Sequence, residues 1–183
     1  MSDIKDLEKQ IDELKKEIYE LKANAPKDQL SMILMSGDMD KLIAALIIAT
    51  GAAAMYERVV IFATFWGISF FKDPDKKIKK DMISKAFEIM LPKHTKGLKL
   101  SKMNMFGVGP VMIKSIMKKN NVKTLSELIK LAGDMGVEIY LCQMSMDLMG
   151  YKWDEIIKYP NIKSAGVGKF LSEAGQSRVT LFI

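Results

Sequence analysis

From Leu30 to the C-terminus, apolar runs of strand length alternate with amphipathic runs of helix length, and this alternation constrains the fold more than any other property of the chain. Strands that alternate with helices pair in parallel, because each helix supplies the crossover that a parallel connection needs, and the sheet is then covered on both faces. Ser31 to Met35 reads as a first strand, followed by a turn at Ser36-Gly37-Asp38 and a helix from Asp40 to Met55 with Asp38 as its N-cap. Arg58 to Thr64, rich in Val, Ile and Phe, is a second strand that ends in Phe65-Trp66-Gly67. Lys76 to Met90 has the pattern of a polar-faced helix, and a short strand is expected over Leu98 to Lys102. A loop with Gly107 and Gly109 then opens a helix near Pro110, a residue suited to the first helical turn. Thr124 to Met135 is a helix with a capping box, Thr124 and Glu127, and a stop at Gly136. Val137 to Cys142 and Val179 to Ile183 complete a mainly parallel sheet of about five strands.

The length suits one α/β domain that buries its core without disulfides. Cys142 is the only cysteine, so no internal bridge can form. With the polar start Met1-Ser2-Asp3-Ile4-Lys5 lacking a signal-peptide pattern, this argues for a reducing, cytoplasmic setting. The longest apolar stretches, Leu42 to Met55 and Val59 to Phe71, are parted by Tyr56-Glu57-Arg58. Each falls short of the roughly 20 residues a membrane span requires. Residues 1 to 29 carry a net charge of −2 and the remainder +8. Only Arg58 and Arg178 in that basic part are arginines, whereas base-specific nucleic-acid readers lean on arginine, and no nucleic-acid-binding motif occurs. A lysine surface that attracts small anions and a merely solvated surface both account for the balance.

Ahead of the domain, Ile4, Leu7, Ile11, Leu14, Ile18 and Leu21 form a heptad with Ile at each a position and Leu at each d. That choice favours a parallel two-stranded coiled coil, and Glu17 at g faces Lys22 at the following e of a second chain. An amphipathic helix lying on its own domain is the competing reading. The expected organisation is an oligomerising heptad helix over 1–23, a linker over 24–29 around Pro26, and an α/β domain over 30–183.

The carboxyl ends of parallel strands share one edge, where ligands of open α/β sheets bind. Here that edge gathers Gly37, the Thr64 to Gly67 segment and Cys142. Cys142 lies where an apolar run gives way to Gln143-Met144-Ser145-Met146, a strand-to-helix junction in which helix N–H groups favour a thiolate. It is either a reactive thiol or a small core residue covered by Met146, Leu148 and Met149. Trp66 either walls a pocket or belongs to the core. Lys93, His94, Lys96, Lys99 and Lys102 either fold over this edge, drawing in anions and stabilising a thiolate, or form a solvated loop. Gly107-Val108-Gly109-Pro110 resembles a phosphate cradle only loosely, lacking the further glycine of a dinucleotide fingerprint. One cysteine and one histidine do not make a zinc ligand set, so no metal and no cofactor are expected.

Five ordered segments carry a family resemblance: Met35-Ser36-Gly37-Asp38-Met39-Asp40-Lys41, Thr64-Phe65-Trp66-Gly67, Leu100-Ser101-Lys102-Met103-Asn104-Met105, Cys142 to Gly150, and Val179-Thr180-Leu181-Phe182-Ile183. Over residues 30 to 183 the chain resembles the DsrE/DsrF/DrsH-like proteins, in the subgroup labelled peroxiredoxin-like or putative sulfurtransferase. The resemblance implies a flavodoxin-like α/β fold, oligomers, and receipt of sulfane sulfur on Cys142 as a persulfide or thiosulfonate for transfer to a TusA-like carrier or a rhodanese. In the wider family the sulfur-carrying cysteine stands eight residues before a glycine, as Cys142 stands before Gly150. Gly37, Trp66, Asn104 and Lys102 are the expected pocket residues. A single thiol suffices for relay, since the next protein's thiol attacks the outer sulfur. Two-cysteine peroxidase chemistry within one subunit is excluded. The contrasting readings are a non-catalytic oligomeric module that binds a nucleotide or small anion, with Cys142 structural, and a redox protein of peroxiredoxin-like or oxidoreductase-associated type.

Overall fold

The computed structural model describes residues 2–76 and 97–183. Its elements, in chain order, are α1 (Ser2–Asn24), β1 (Lys27–Leu34), α2 (Met39–Ala53), β2 (Arg58–Ala63), α3 (Val108–Lys119), α4 (Leu125–Asp134), β3 (Glu138–Cys142), α5 (Gln143–Met149), β4 (Ile162–Ala165), α6 (Val167–Gln176) and β5 (Ser177–Phe182). Tight 3-10 turns occupy Phe65–Phe71, Met105–Gly107 and Trp153–Glu155. The five strands form one sheet in the order β4-β3-β2-β1-β5, and every neighbouring pair is parallel.

The chain builds this sheet in two directions. β1 to β4 are laid down successively to one side, and the connection from β4 to β5 travels back past β1. Parallel crossovers are right-handed, so the helix of the returning connection, α6, must lie on the opposite face from α2 and α4. Helices therefore cover both faces of a flavodoxin-like sheet.

Side-chain alternation gives the two faces different chemistry. Leu30, Met32 and Leu34 of β1 lie in register with Val59, Ile61 and Ala63 of β2, and all six are buried. Ile139 and Leu141 continue this apolar face. The other face carries Gln29, Ser31 and Ile33, in register with Arg58, Val60 and Phe62, and then Glu138 and Tyr140 with Cys142 two residues on. α6 packs there, placing the Phe170 ring 5.2 Å from the Phe62 ring and the Lys169 ammonium 5.7 Å from the centre of Tyr140.

Several expectations need correction. Leu98 to Lys102 is not a strand, because its backbone serves the loops: the Lys99 carbonyl accepts from the Met39 amide and the Leu100 amide donates to the Asn104 side chain. The fifth strand is instead β4, a short edge strand with a half-exposed pattern that carries no alternation signal. β1 opens at Lys27, paired with Ser177, and α1 runs to Asn24, so only Ala25 and Pro26 separate them, less than the linker expected over 24–29. Asp38 holds the N-cap position of α2 without a side-chain cap bond; its carboxylate accepts from the Ser36 hydroxyl at 2.9 Å and pairs with Lys41 at 3.6 Å. The Thr124–Glu127 capping box forms as expected, and Gly136 follows α4 with φ of 80°. The helix expected over Lys76 to Met90, and Lys93, His94 and Lys96, fall outside the described residues from Lys77 on.

Candidate functional site

The carboxyl ends of β1, β2 and β3 meet at one edge of the sheet, and the loops leaving β1 and β2 are locked together there. The Thr64 amide donates to the Leu34 carbonyl at 3.0 Å and the Gly67 amide to the Met35 carbonyl at 2.9 Å. A Cβ on Gly67 would stand 2.3 Å from the Leu34 carbonyl oxygen, and one on Gly37 2.8 Å from the Trp66 oxygen. Both glycines are explained by this close approach of two backbones. Ser69 completes the clasp by donating to the Trp66 carbonyl at 2.7 Å.

Cys142 ends β3 opposite Ala165 of β4 and is the N-cap residue of α5, with φ of −64° and ψ of 112°. It is 5 % exposed, on the face covered by α6. α5 is anchored around it: the Ser145 and Thr64 hydroxyls share a hydrogen bond of 2.8 Å, and Gln143 donates to Asp147 at 2.8 Å while accepting from Ser164. Met146 and Met149 are buried, whereas Met144 and Leu148 point outward. The sequence placed Thr64 at this edge; Ser145 and the β4 end were not legible as site residues. The signal for β4 was limited to the spacing of Ile162 and Ala165 ahead of Gly166.

The structure brings Gly37 and Trp66 together, with Trp66 half exposed. Asn104 and Lys102 belong to a different loop, tied to the start of α2. The Ser101 amide donates to the Asp40 carboxylate at 2.9 Å and its hydroxyl donates to the second oxygen. Burial pushes the Asp40 carboxyl up, but these two hydrogen bonds outweigh it and hold Asp40 below its usual range. Asn104 closes its own loop, accepting from the Leu100 amide at 3.2 Å through its side chain and from the Gly107 amide at 2.8 Å through its carbonyl. Lys102 is exposed. Gly109 is not a phosphate cradle: a Cβ there would stand 2.1 Å from the Met103 carbonyl oxygen, so it serves the packing of that loop on α3.

At the far end of the Cys142 face lies a charged network. Arg58 grips Glu138 with both ends of its guanidinium, at 2.6 and 2.9 Å, and pairs with Glu173 of α6. Gln29 and Lys169 also bond Glu173. Burial pushes the Glu173 carboxyl up, but hydrogen bonds from Arg58, Lys169 and Gln29 overcome it and bring it down to about 2. Arg58 is held charged above its ordinary range, chiefly by its bonds to Glu138. This network docks α6 on the face that carries the thiol.

A cavity of about 1020 Å³ lies between α2, α3 and α4, lined by Met39, Lys114, Lys118, Lys123 and the α4 N-terminus; Cys142 is not among its lining residues. The Glu127 carboxylate already caps that N-terminus, accepting from the Thr124 amide at 2.7 Å. An anion there would compete with a carboxylate built into the helix. Among the described residues, no three His, Cys, Asp or Glu side chains gather as a metal site requires, and no helix is long and apolar enough to cross a membrane.

Comparison with known proteins decides the family. The DsrE/DsrF/DrsH-like family profile matches residues 26–182. The chain belongs to this family. A relative from Bacillus subtilis (strain 168), the uncharacterized protein YrkE, is 44 % identical over 154 residues, which cover 84 % of this chain and 95 % of that protein. The sulfur carrier protein DsrE2 of Allochromatium vinosum is 29 % identical over 160 residues, covering 85 % and 98 %. Among solved structures, the YchN protein of E. coli aligns over 85 % of this chain and 99 % of its own at 7 % identity, with a TM-score of 0.47. All of α1 lies outside the family match.

Proposed function

We propose that this protein is a sulfur carrier in which Cys142 holds the sulfur. The observation that carries this reading is the position of the chain's one cysteine, the last residue of β3 and the N-cap of α5, in a chain that aligns along almost the whole of a relative named as a sulfur carrier. Cys142 makes no side-chain cap bond, so the first-turn N–H groups of α5 beside it are open to a negative atom.

In the forward step the Cys142 thiolate attacks a sulfane sulfur of the donor. A new S–S bond forms, the donor's own S–S bond breaks, and the shortened donor leaves with the electron pair. A polysulfide or thiosulfate leaves Cys142 as a persulfide; tetrathionate leaves it as a thiosulfonate and departs as thiosulfate. In the return step the partner's thiolate attacks the outer sulfur and Cys142 leaves as thiolate. The chain supplies no second thiol, so the acceptor, a TusA-like carrier or a rhodanese, must bring its own. No cofactor enters this chemistry, and a reducing cytoplasm suits a protein that works through a free thiol. Since Cys142 is 5 % exposed, transfer requires the covering side chains to move aside. Trp66, Gly37, Asn104 and Lys102 belong to the loops a partner would meet at this edge.

The same reading includes a homo-oligomer. Every a and d residue of α1, from Ile4 to Leu21, is at least 48 % exposed, so this stripe finds no cover among the described residues. A second α1 in parallel register would bury it, with Glu17 facing Lys22.

The test is transfer of labelled sulfane sulfur to the parent and to Cys142→Ser. Loss of uptake in the variant supports the assignment, and equal uptake refutes it. Nucleotide or anion binding that survives Cys142→Ser, with no persulfide on the parent, would instead favour the binding-module reading.

A further inference from the structure

The outward face of α3 is apolar where a surface helix should be polar. Val108, Val111, Met112 and Ile116 recur at helical spacing along it and are all exposed, while Gly109, Pro110 and Met117 face inward. The preceding loop adds Met103, Met105 and Phe106, the last wholly exposed at 109 %. All three have positive φ, 56°, 43° and 55°, a left-handed backbone that non-glycine residues adopt at a cost. Gly107 (φ 96°) and the seat of Gly109 against the Met103 carbonyl hold the loop in this shape.

Charge identifies the occupant. Between Gly97 and Ser126 the chain carries Lys99, Lys102, Lys114, Lys118, Lys119 and Lys123 and no acidic residue. Two carboxylates border this stretch, Asp40 bonded to Ser101 and Glu127 bonded to Thr124, and the six lysines outnumber them. Protein–protein interfaces share the Phe and Met of this surface, but they are depleted in lysine and anchored chiefly by Trp, Tyr and Arg, and this segment has six lysines and none of those three anchors. Exposed Phe, Met and Val in a lysine-rich stretch that carries no acidic residue is the composition of a surface that lies in the headgroup region of a bilayer. We infer that the Met103–Lys119 surface docks the protein peripherally on an anionic lipid bilayer, Phe106 entering the acyl boundary and the lysines meeting the headgroups. The helix is too short to span, so this is contact with one leaflet. The inference does not depend on what Cys142 carries.

The test is co-sedimentation of the full chain with phosphatidylcholine vesicles and with vesicles that also contain phosphatidylglycerol, at low and raised salt. The protein should bind the anionic vesicles and be released by salt. Phe106→Ser should weaken binding about tenfold or more, by loss of one buried aromatic side chain. Lys118→Gln with Lys119→Gln should weaken it roughly 25-fold, each lysine at an anionic surface being worth about fivefold. Phe106 is wholly exposed, so its variant should keep the parent's thermal midpoint. Equal binding to both vesicle types, or binding unmoved by Phe106→Ser, overturns the inference. It also fails if the parent ignores vesicles while Phe106→Ser lowers its native mass, which would assign the surface to a second copy, or if the parent ignores vesicles and the variant changes nothing.

Discussion

Glu173 is the residue on which the seating of α6 turns, since three partners from two strands and from its own helix converge on it. Its folded pKa of about 2 lies below the ordinary 4.5, so its contribution to stability is complete above about pH 4.5 and is lost as pH falls toward 2. The thermal midpoint of the parent should therefore drop over that window, and Glu173→Gln should be destabilised at neutral pH with a flatter profile; parallel pH profiles for the two would contradict the assignment. Gly67 makes a second residue-scale prediction. A methyl placed 2.3 Å from the Leu34 carbonyl forces the clasped loops apart, so Gly67→Ala should cost about 1–3 kcal/mol in urea unfolding, against no change if the loops are free to separate. The place of Cys142 at a strand end was legible, because an apolar run stops there against Gln143. Its burial, at 5 % exposure, was one of two readings the sequence left open, because the sequence does not say what packs over a strand end. The glycines at 37 and 67 were visible as glycines, but their reason lies in another strand's loop.

At the scale of elements, α1 and β4 teach opposite lessons. The heptad in α1 is a local signal, and the 23-residue helix follows from it, because strict a/d spacing and good helix formers act within one element. What the stripe packs against is not local. With Ile11→Asp and Leu14→Asp together, the native mass by sedimentation should fall below that of the parent; an unchanged mass would mean α1 takes no part in assembly. β4 was missed because an edge strand of four residues needs no apolar alternation: one side pairs with β3 and the other meets solvent. The reverse error, a strand over Leu98 to Lys102, followed from alternating Leu and Lys in a segment whose hydrogen bonds go to α2 and to its own loop. The capping box of α4 was legible because both of its bonds connect Thr124 and Glu127, three residues apart.

For the whole molecule, the alternation of strand and helix was enough to imply a parallel sheet covered on both faces, and parallel strands alone place the ends of β1, β2 and β3 at one edge. The sequence could not say which face Cys142 occupies. Register shows that it shares the face of Arg58, Glu138 and Tyr140, the polar side of an otherwise apolar sheet. Cys142 thereby lies on the sheet face on which α6 packs, opposite the apolar face that carries α2 and α4. The central claim, that Cys142 carries sulfur, is tested most directly by intact mass. The reduced protein would be incubated separately with polysulfide, thiosulfate and tetrathionate, then weighed with and without reductant. The account predicts a reductant-labile gain of sulfur, or of a thiosulfonate, that maps to Cys142 and is absent from Cys142→Ser. No adduct from any donor, on a protein whose Cys142 still alkylates, would contradict it.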